Sequence, residues 1–232
     1  MARFLLIHGS WHGAWCWERL LPILKARGHE VWAPTLIGLG ERAGEASTGT
    51  GLVTHVNQIT ELILSADLND LTVVGHSYGG PVMVGTAERV PDRISHLVYL
   101  DALVPDHGQS AFDLMPGAES GFVQAMRRAG SEFLVPPMSP QELGVIEPAD
   151  VKWVGTHLTA MPILTHREKV DAPQRKAFKI PSTYIQCLQF GLGAGFAAQA
   201  RRDGWRVLEA DTGHDVMVTN PKGLADLLEQ AM

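Results

Sequence analysis

Short apolar runs alternate along the chain with segments whose apolar residues recur at helical spacing. Apolar runs without polar interruptions are typical of strands buried on both faces, as in a parallel sheet. Between two of these runs, four apolar residues follow at steps of four, three and four, which places them on one face of a helix. They are Leu52, Val56, Ile59 and Ile63. Strands are predicted at residues 3–7, 31–33, 71–74, 97–100, 183–187 and 206–209. The alternation predicts an α/β fold with a mostly parallel sheet and helices on both faces.

One segment, residues 105–179, does not show this alternation of strands and helices. It holds most of the prolines and contains no strand-like run, while helical spacing reappears at Phe122 and Met126 and again around Trp153. The segment is too long for an ordinary crossover between two strands, so we favour a helical cap over two crossover helices with long loops. The predicted domains are a core formed by residues 1–104 and 180–232, and a helical cap over the active site formed by residues 105–179.

Charge and cysteine content exclude several classes of partner. The net charge is −6, with 19 Lys and Arg against 25 Asp and Glu, so no nucleic-acid partner is expected. The two cysteines, Cys16 and Cys187, match no metal or disulfide framework, which fits a reducing, cytoplasmic location. The uncharged residues 180–200 contain a proline and three glycines, so no membrane partner is expected. The sequence leaves a homodimer open.

A serine lies on a predicted sharp turn between a strand and a helix. The motif Gly75-His76-Ser77-Tyr78-Gly79-Gly80 directly follows the strand predicted at residues 71–74. The positions two residues before and after the serine must be very small on such a turn, and both are glycine. The turn would lift the Ser77 hydroxyl clear of the sheet, so Ser77 is the candidate nucleophile.

A second loop, after the first strand, can supply hydrogen-bond donors. Attack on an ester creates an oxyanion that needs two preorganised N–H groups. Tyr78, the residue after the nucleophile, supplies one by position. Gly9 lets the loop backbone come close, and Ser10 is the preferred second donor, with Trp11 next if the turn is one residue longer. His8 and His12 do not share a helical face, so we expect them to shape this loop by hydrogen bonds rather than to bind a metal.

A histidine after the last strand is the candidate base. A serine hydroxyl is a poor nucleophile until a base removes its proton, and histidine titrates near neutral pH. His214 follows a glycine at the carboxyl end of a strand, where open α/β sheets place their active sites. His76 is set aside because side chains of adjacent residues on a tight turn point apart. His107, His157 and His166 in the cap remain weaker competitors.

These motifs resemble the α/β-hydrolase superfamily, and within it the small serine esterases related to plant methyl-ester esterases and hydroxynitrile lyases. The resemblance rests on Ile7-His8-Gly9-Ser10-Trp11-His12-Gly13-Ala14-Trp15, on residues 75–80 and on Gly213-His214, and it is weakest in the cap. It implies the α/β-hydrolase fold, a nucleophile at Ser77, a base at His214, donors from Ser10 and Tyr78, and a small apolar pocket between sheet and cap.

The catalytic acid is where the chain departs from the family pattern. Related proteins place it after the strand that is here residues 183–187, but residues 188–191 are Leu-Gln-Phe-Gly, with no carboxylate before Asp203. Some members of the superfamily take the acid from the preceding strand, and Asp101 follows residues 97–100 here. Asp211 and Asp215 are too close to His214 in sequence to orient its far ring nitrogen easily. We favour Asp101; Asp203, Asp215, or a Ser–His pair without an acid stay open, as does a role for Asp101 in capping a turn.

The resemblance also bears on the reaction. Hydroxynitrile lyases of this family carry Thr at the position of Gly9 and Lys at the position of Asp215, so cyanohydrin cleavage is disfavoured. We predict a serine hydrolase that cleaves small apolar carboxylic esters or lactones through an acyl-serine intermediate, without cofactor or metal. The alternatives are a cofactor-free C–C bond hydrolase or lyase on the same triad, and a non-catalytic ligand-binding protein. The cap residues expected to favour apolar substrate groups are Phe122, Met126, Trp153, Met161 and Phe178.

Overall fold

The computed structural model describes residues 1–174, 176–177 and 179–232. Its strands are β1 (Arg3–Ile7), β2 (Glu30–Trp32), β3 (Leu71–His76), β4 (Ile94–Leu100), β5 (Leu134–Val135), β6 (Met161–Pro162), β7 (Ser182–Cys187) and β8 (Arg206–Ala210). Its α-helices are α1 (Leu21–Ala26), α2 (Leu52–Ser65), α3 (Gly79–Arg89), α4 (Ala111–Leu114), α5 (Ala118–Arg128), α6 (Pro148–His157), α7 (Leu164–Arg167), α8 (Gly193–Arg202), α9 (Val216–Thr219) and α10 (Pro221–Ala231). Six strands form one sheet in the order β2-β1-β3-β4-β7-β8, with every neighbouring pair parallel.

Both faces of this sheet are buried, which explains the apolar character of its strands. Successive side chains of a strand point to opposite faces. In β3, Val73 packs into the apolar cluster that contains α2 and α3, whereas Val74 packs into the cluster that contains α1 and α10. Both valines are fully buried. The predicted α/β fold, a parallel sheet between two helical layers, is confirmed.

Helix α2 shows how the sequence specifies one of these layers. The four residues that the spacing placed on one helix face are all buried against the sheet and α3. An apolar stripe of this kind fixes which side of the helix faces the core, because the other positions remain polar or partly exposed. The predicted helix and its buried face are confirmed.

The segment between β4 and β7 differs from the rest of the chain. It contains the four helices α4 to α7 and a small antiparallel pair, in which Leu134 lies opposite Pro162 and Val135 opposite Met161. The sequence analysis found no strand-like run in this segment and did not predict this pair. Two-residue strands are too short to produce a periodic signal, so only the helical parts could be detected. The division into a core and a cap, with boundaries at residues 105 and 179, remains a prediction.

The carboxyl ends of β1, β3, β4 and β8 lie at one edge of the sheet, since all strands run in the same direction. The loops that follow these strands carry Ser10, Ser77, Asp101 and His214 in turn. This edge is where ligands bind in open α/β sheets. Among the described residues, no helix is both long enough and apolar enough to cross a membrane.

Candidate active site

Ser77 lies on a tight turn between β3 and α3. Its φ angle is 53°, in the left-handed region that L-residues with a side chain rarely adopt. The flanking glycines are required by space: a Cβ on Gly75 would lie 2.7 Å from the carbonyl oxygen of Gly79, and one on Gly79 would lie 2.5 Å from that of Ile7. Strain of this kind persists only where the surrounding structure enforces it, and here it lifts a partly exposed hydroxyl off the end of the sheet.

Asp101 follows β4 as Ser77 follows β3. The last residues of the two strands, His76 and Leu100, are partners in the parallel ladder, so Ser77 and Asp101 emerge side by side. The amide of Ser77 donates to the carbonyl of Leu100 at 3.2 Å. Asp101 also has a positive φ of 43° and is fully buried. Two adjacent strands therefore deliver a hydroxyl and a carboxylate to the same edge of the sheet.

The structure brings Asp101 and His214 into contact. Nδ1 of His214 lies 2.6 Å from Oδ2 of Asp101, and the two side chains are 4% and 0% exposed. The second carboxylate oxygen accepts the amide proton of Cys187 at 3.2 Å. With Nδ1–H donating to the carboxylate, the imidazole has the tautomer that leaves Nε2 free to accept a proton. Asp203, the first carboxylate after β7, is exposed beyond α8.

Gly193, at the start of α8, makes room for this carboxylate, and sequence reasoning missed it. A Cβ at this position would collide with Oδ1 of Asp101 and lie 3.1 Å from the hydroxyl of Tyr184. That hydroxyl is fixed, since it donates to the carbonyl of Ala102 at 3.0 Å. The only signal in the sequence is the glycine-rich run at residues 191–195.

The ring of His214 contacts two other rings. The ring of Phe190 stacks on it with a centroid distance of 4.3 Å, and the ring of His76 lies at 4.4 Å. Nε2 of His76 donates to the backbone carbonyl of His214 at 3.1 Å. Burial, with the neighbouring histidines as a smaller cause, holds the pKa of His76 well below its usual value, so its ring is neutral. Sequence analysis set His76 aside as pointing away from Ser77, and did not foresee that the loop after β8 folds back over the end of β3.

The loop after β1 packs directly on Ser77. A Cβ on Gly9 would lie 2.9 Å from the Cβ of Ser77, so only glycine allows this approach. Nε2 of His8 accepts the amide proton of Leu36 at 3.0 Å, and Nδ1–H of His8 donates to the carbonyl of Gly9 at 2.9 Å. Burial lowers the pKa of His8 to about 3, so this ring is neutral. The carbonyl it binds belongs to the same peptide as the N–H of Ser10, and the direction of that N–H is therefore fixed.

A second buried His–Asp pair lies beside the first. Nε2 of His12 is 3.1 Å from Oδ2 of Asp215, and Nδ1 of His12 is 2.7 Å from the carbonyl oxygen of Ser10. Burial acts to lower the pKa of His12, but the Asp215 carboxylate outweighs it, and the pKa is raised above its usual value. The pair ties the loop after β1 to the loop after β8. Asp215 thus faces His12, whereas Asp101 faces His214.

A cavity of about 130 Å³ opens between these loops and the segment 105–179. Ser10, Tyr78, Ser77 and His214 all line it, together with His166. The remaining lining residues are apolar: Trp11, Leu103, Met115, Phe122, Met138, Leu143, Phe190 and Leu192. The structure thus gathers at one cavity four of the five predicted site residues, with Asp101 buried behind His214.

The other cap residues singled out in the sequence lie elsewhere. Met126 and Met161 are buried in the apolar cluster around α2 and α3. Trp153 packs edge-on against Trp15 at 5.3 Å. Phe178 lies outside the described residues. Of the competing cap histidines, His166 lines the cavity, His107 is half-exposed beside Asp171, and His157 packs against Trp15.

Several known proteins are similar to this chain. The profile of the alpha/beta hydrolase family matches residues 4–227. The carbendazim hydrolyzing esterase of Nocardioides sp. (strain SG-4G) is 32% identical over 98% of this chain and 98% of its own length. Methylesterase 1 of Arabidopsis thaliana is 37% identical, over 44% of this chain and 40% of that protein.

Solved structures also resemble the chain over its full length. An extracellular alpha/beta-hydrolase from a Paenibacillus species superposes with a TM-score of 0.89 at 26% identity, over 100% of this chain and 99% of that one. It is described as sharing structural and functional homology with tobacco salicylic acid binding protein 2. A variant of tomato methylketone synthase I superposes with a TM-score of 0.82 at 19% identity, over 99% and 96%, a likeness of fold alone.

Proposed function

The chain belongs to the alpha/beta hydrolase family and is an ester hydrolase; we propose that it cleaves small carboxylic esters or lactones through an acyl intermediate on Ser77. The observation that carries the proposal is the 2.6 Å contact between His214 and Asp101 at the cavity that Ser77 lines. A serine, a histidine and a carboxylate so arranged can activate a hydroxyl for acyl transfer.

In the proposed acylation, Ser77 Oγ attacks the ester carbonyl carbon while its proton passes to Nε2 of His214. Asp101 accepts from Nδ1–H throughout and stabilises the imidazolium that forms. The face of Phe190, stacked on the imidazole, adds a favourable interaction with the cation. As the tetrahedral intermediate collapses, His214 returns the proton to the leaving alkoxide. A water then repeats the sequence on the acyl-enzyme, and the carboxylic acid leaves.

We assign the oxyanion hole to the backbone N–H groups of Ser10 and Tyr78. The N–H of Ser10 is oriented through the hydrogen bond from His8 to the carbonyl of Gly9, and Tyr78 follows the nucleophile at the start of α3. Donors held in place before the reaction cost no reorganisation when the charge develops, and the loss of one typically costs about 10²–10³ in kcat. Trp11, the alternative donor, follows Ser10 with a φ of 64°.

The cavity supports a small, uncharged substrate. Its volume of about 130 Å³ fits a short acyl or alcohol group, and most of its lining is apolar. A charged group buried there would lose its hydration without gaining a partner, which is costly. We propose that residues 105–179 act as the cap that shapes this cavity, over a core formed by residues 1–104 and 180–232. A cytoplasmic location is proposed on the two buried, free thiols of Cys16 and Cys187.

The test is turnover of short-chain 4-nitrophenyl esters, with labelling by a fluorophosphonate probe that reacts only with an activated serine. We expect Ser77→Ala to lower kcat by at least about 10⁴-fold and to abolish labelling. Ser65→Ala, at the exposed end of α2, is the matched control and should retain both. Turnover that survives in Ser77→Ala would exclude the acyl-enzyme mechanism. A wild-type protein that resists the probe would instead point to a ligand-binding protein.

A further inference from the structure

The largely apolar cavity contains one polar pair that the proposed chemistry does not use. Oγ of Ser10 lies 3.2 Å from Nε2 of His166, and both residues line the cavity. They are buried, at 6% and 2% exposure. His166 comes from α7 in the segment between β4 and β7, so the pair joins that segment to the loop after β1. The assigned oxyanion donor is the backbone N–H of Ser10, which leaves its hydroxyl without a role.

The direction of the hydrogen bond between Ser10 and His166 follows from the hydrogen bonds that Thr165 makes. The hydroxyl of Thr165 donates its single proton to the carbonyl of Pro162 at 2.7 Å. Thr165 Oγ1 also lies 2.9 Å from Nδ1 of His166, and with its proton already used it can only accept there. Nδ1 of His166 therefore carries the ring proton and Nε2 is bare. Consequently, Ser10 donates its hydroxyl proton to His166.

Neighbouring groups keep this arrangement fixed. Burial, with the neighbouring His55 as a smaller cause, lowers the pKa of His166 to about 3, so the ring carries one proton at neutral pH. The ring of Tyr78 stacks on that of His166 at 5.0 Å. The hydroxyl of Tyr78 donates to Nδ1 of His55, at 2.9 Å, because Nε2–H of His55 donates to the carbonyl of Ile37. Both hydroxyl protons, on Ser10 and Tyr78, are thus directed at imidazole nitrogens.

A hydroxyl whose proton is committed offers a partner only its lone pairs. We propose that Ser10 Oγ is a hydrogen-bond acceptor for the substrate, and that the site selects esters with a neutral O–H on the carbon next to the carbonyl, the 2-hydroxyacyl esters. This inference rests on the proposed function, because the N–H of Ser10 locates the carbonyl oxygen. Only the Cα and Cβ of Ser10 separate that N–H from Oγ, so the acceptor lies beside the bound carbonyl. A 2-ammonio group is disfavoured, since the cavity offers a cation no carboxylate partner among its lining residues.

The test compares three 4-nitrophenyl esters of similar size: the 2-hydroxypropanoate, the 2-methylpropanoate and the 2-methoxypropanoate. Each kcat/KM is divided by the rate constant for uncatalysed hydrolysis of the same ester, which removes differences in intrinsic reactivity. We expect the wild-type protein to favour the hydroxy ester about tenfold over both others, the size of effect typical of one net hydrogen bond. Ser10→Ala should bring the three corrected values within about twofold of one another.

Thr165 is a positioning residue, and its variants test the direction of the hydrogen bond. In Thr165→Val the ring proton of His166 can move to Nε2, which then donates to Oγ of Ser10. The hydroxyl proton of Ser10 is then free to donate to an acceptor oxygen of the substrate. We expect the preference to shift from the hydroxy to the methoxy ester. Thr165→Ser, which retains the hydroxyl, should keep the wild-type preference. A merely structural role would lower all three rates together.

Nitrogen-15 NMR of the labelled full-length wild-type protein reports the tautomer of His166 directly. A proton on Nδ1 supports the proposal, whereas a proton on Nε2 overturns it even if the variants fail to fold. Wild-type turnover without preference for the hydroxy ester, or a preference that survives in Ser10→Ala, overturns this inference and leaves the esterase mechanism intact. Failure of Ser77 to react with the fluorophosphonate probe would remove the mechanism and this inference together.

Discussion

Replacing Asp101 by asparagine tests the proposed triad at the member whose position departs from the family pattern. In the native arrangement one carboxylate oxygen accepts the amide proton of Cys187 and the other accepts Nδ1–H of His214. An asparagine can satisfy Cys187 only with its oxygen, which turns its NH₂ group toward the imidazole. Nδ1 must then accept, the ring proton moves to Nε2, and His214 can no longer remove the proton of Ser77.

The expected loss follows from the burial of this pair. Asp101 is fully buried and His214 almost fully, so the imidazolium of the transition state would have no counter-charge in the variant. Removing one partner of a buried ion pair typically costs about 3–5 kcal/mol. At about 1.4 kcal/mol per factor of ten, kcat should fall by roughly 10²–10⁴-fold.

The assay is steady-state hydrolysis of the best 4-nitrophenyl ester, with thermal unfolding to verify that Asp101→Asn is folded. Asp203→Asn is the matched control: Asp203 is exposed, and its kcat should stay within about twofold of the parent. A folded Asp101→Asn variant within about tenfold of the parent would refute the reasoning. It would direct attention to Asp215, or to a Ser–His pair that works without an acid.

Two further predictions concern the surroundings of the triad. In Gly193→Ala the new methyl group displaces the carboxylate of Asp101, so we expect kcat to fall at least about tenfold. Gly195→Ala, which has open space around its Cβ, should leave kcat unchanged. Because Asp215 raises the pKa of His12 above its unfolded value, this pair stabilises the fold fully below about pH 6.5, and the stabilisation is lost as pH rises through the raised pKa. The difference in free energy of unfolding between wild type and Asp215→Asn, measured by urea denaturation, should therefore shrink from pH 6 to pH 9, and a constant or growing difference would contradict the assignment.

Much of the fold could be predicted, because the central strands are buried on both faces and their apolar runs are unambiguous. The errors lie where local composition hides a strand. Strand β3 continues through Gly75 and His76, although glycine and histidine are not typical strand residues. Strand β4 begins at Ile94, before the polar residues Ser95 and His96. Pairing with neighbouring strands extends both elements beyond what propensity alone predicts.

The candidate site, like the fold, could be predicted only in part. That Ser77, Ser10 and Tyr78 lie together at one cavity could be predicted because the turns that position them are encoded within a few residues. His166 and Gly193 could not, since each matters only through a contact made across the fold. Neither hydrophobic periodicity nor a short motif in one sequence indicates which distant residues come into contact.

The order in which the site is built along the chain has a consequence for folding. His214 and Asp101 are separated by 113 residues, and His12 and Asp215 by 203. The hydroxyl and the carboxylate come from the neighbouring central strands β3 and β4, whereas the imidazole lies on the loop after β8, a strand at one edge of the sheet. Because closing a long loop costs conformational entropy before the contact is gained, we expect these contacts to form late in folding. We therefore expect turnover to return during refolding only once β8 has joined the sheet, so that recovery of activity reports the docking of this strand.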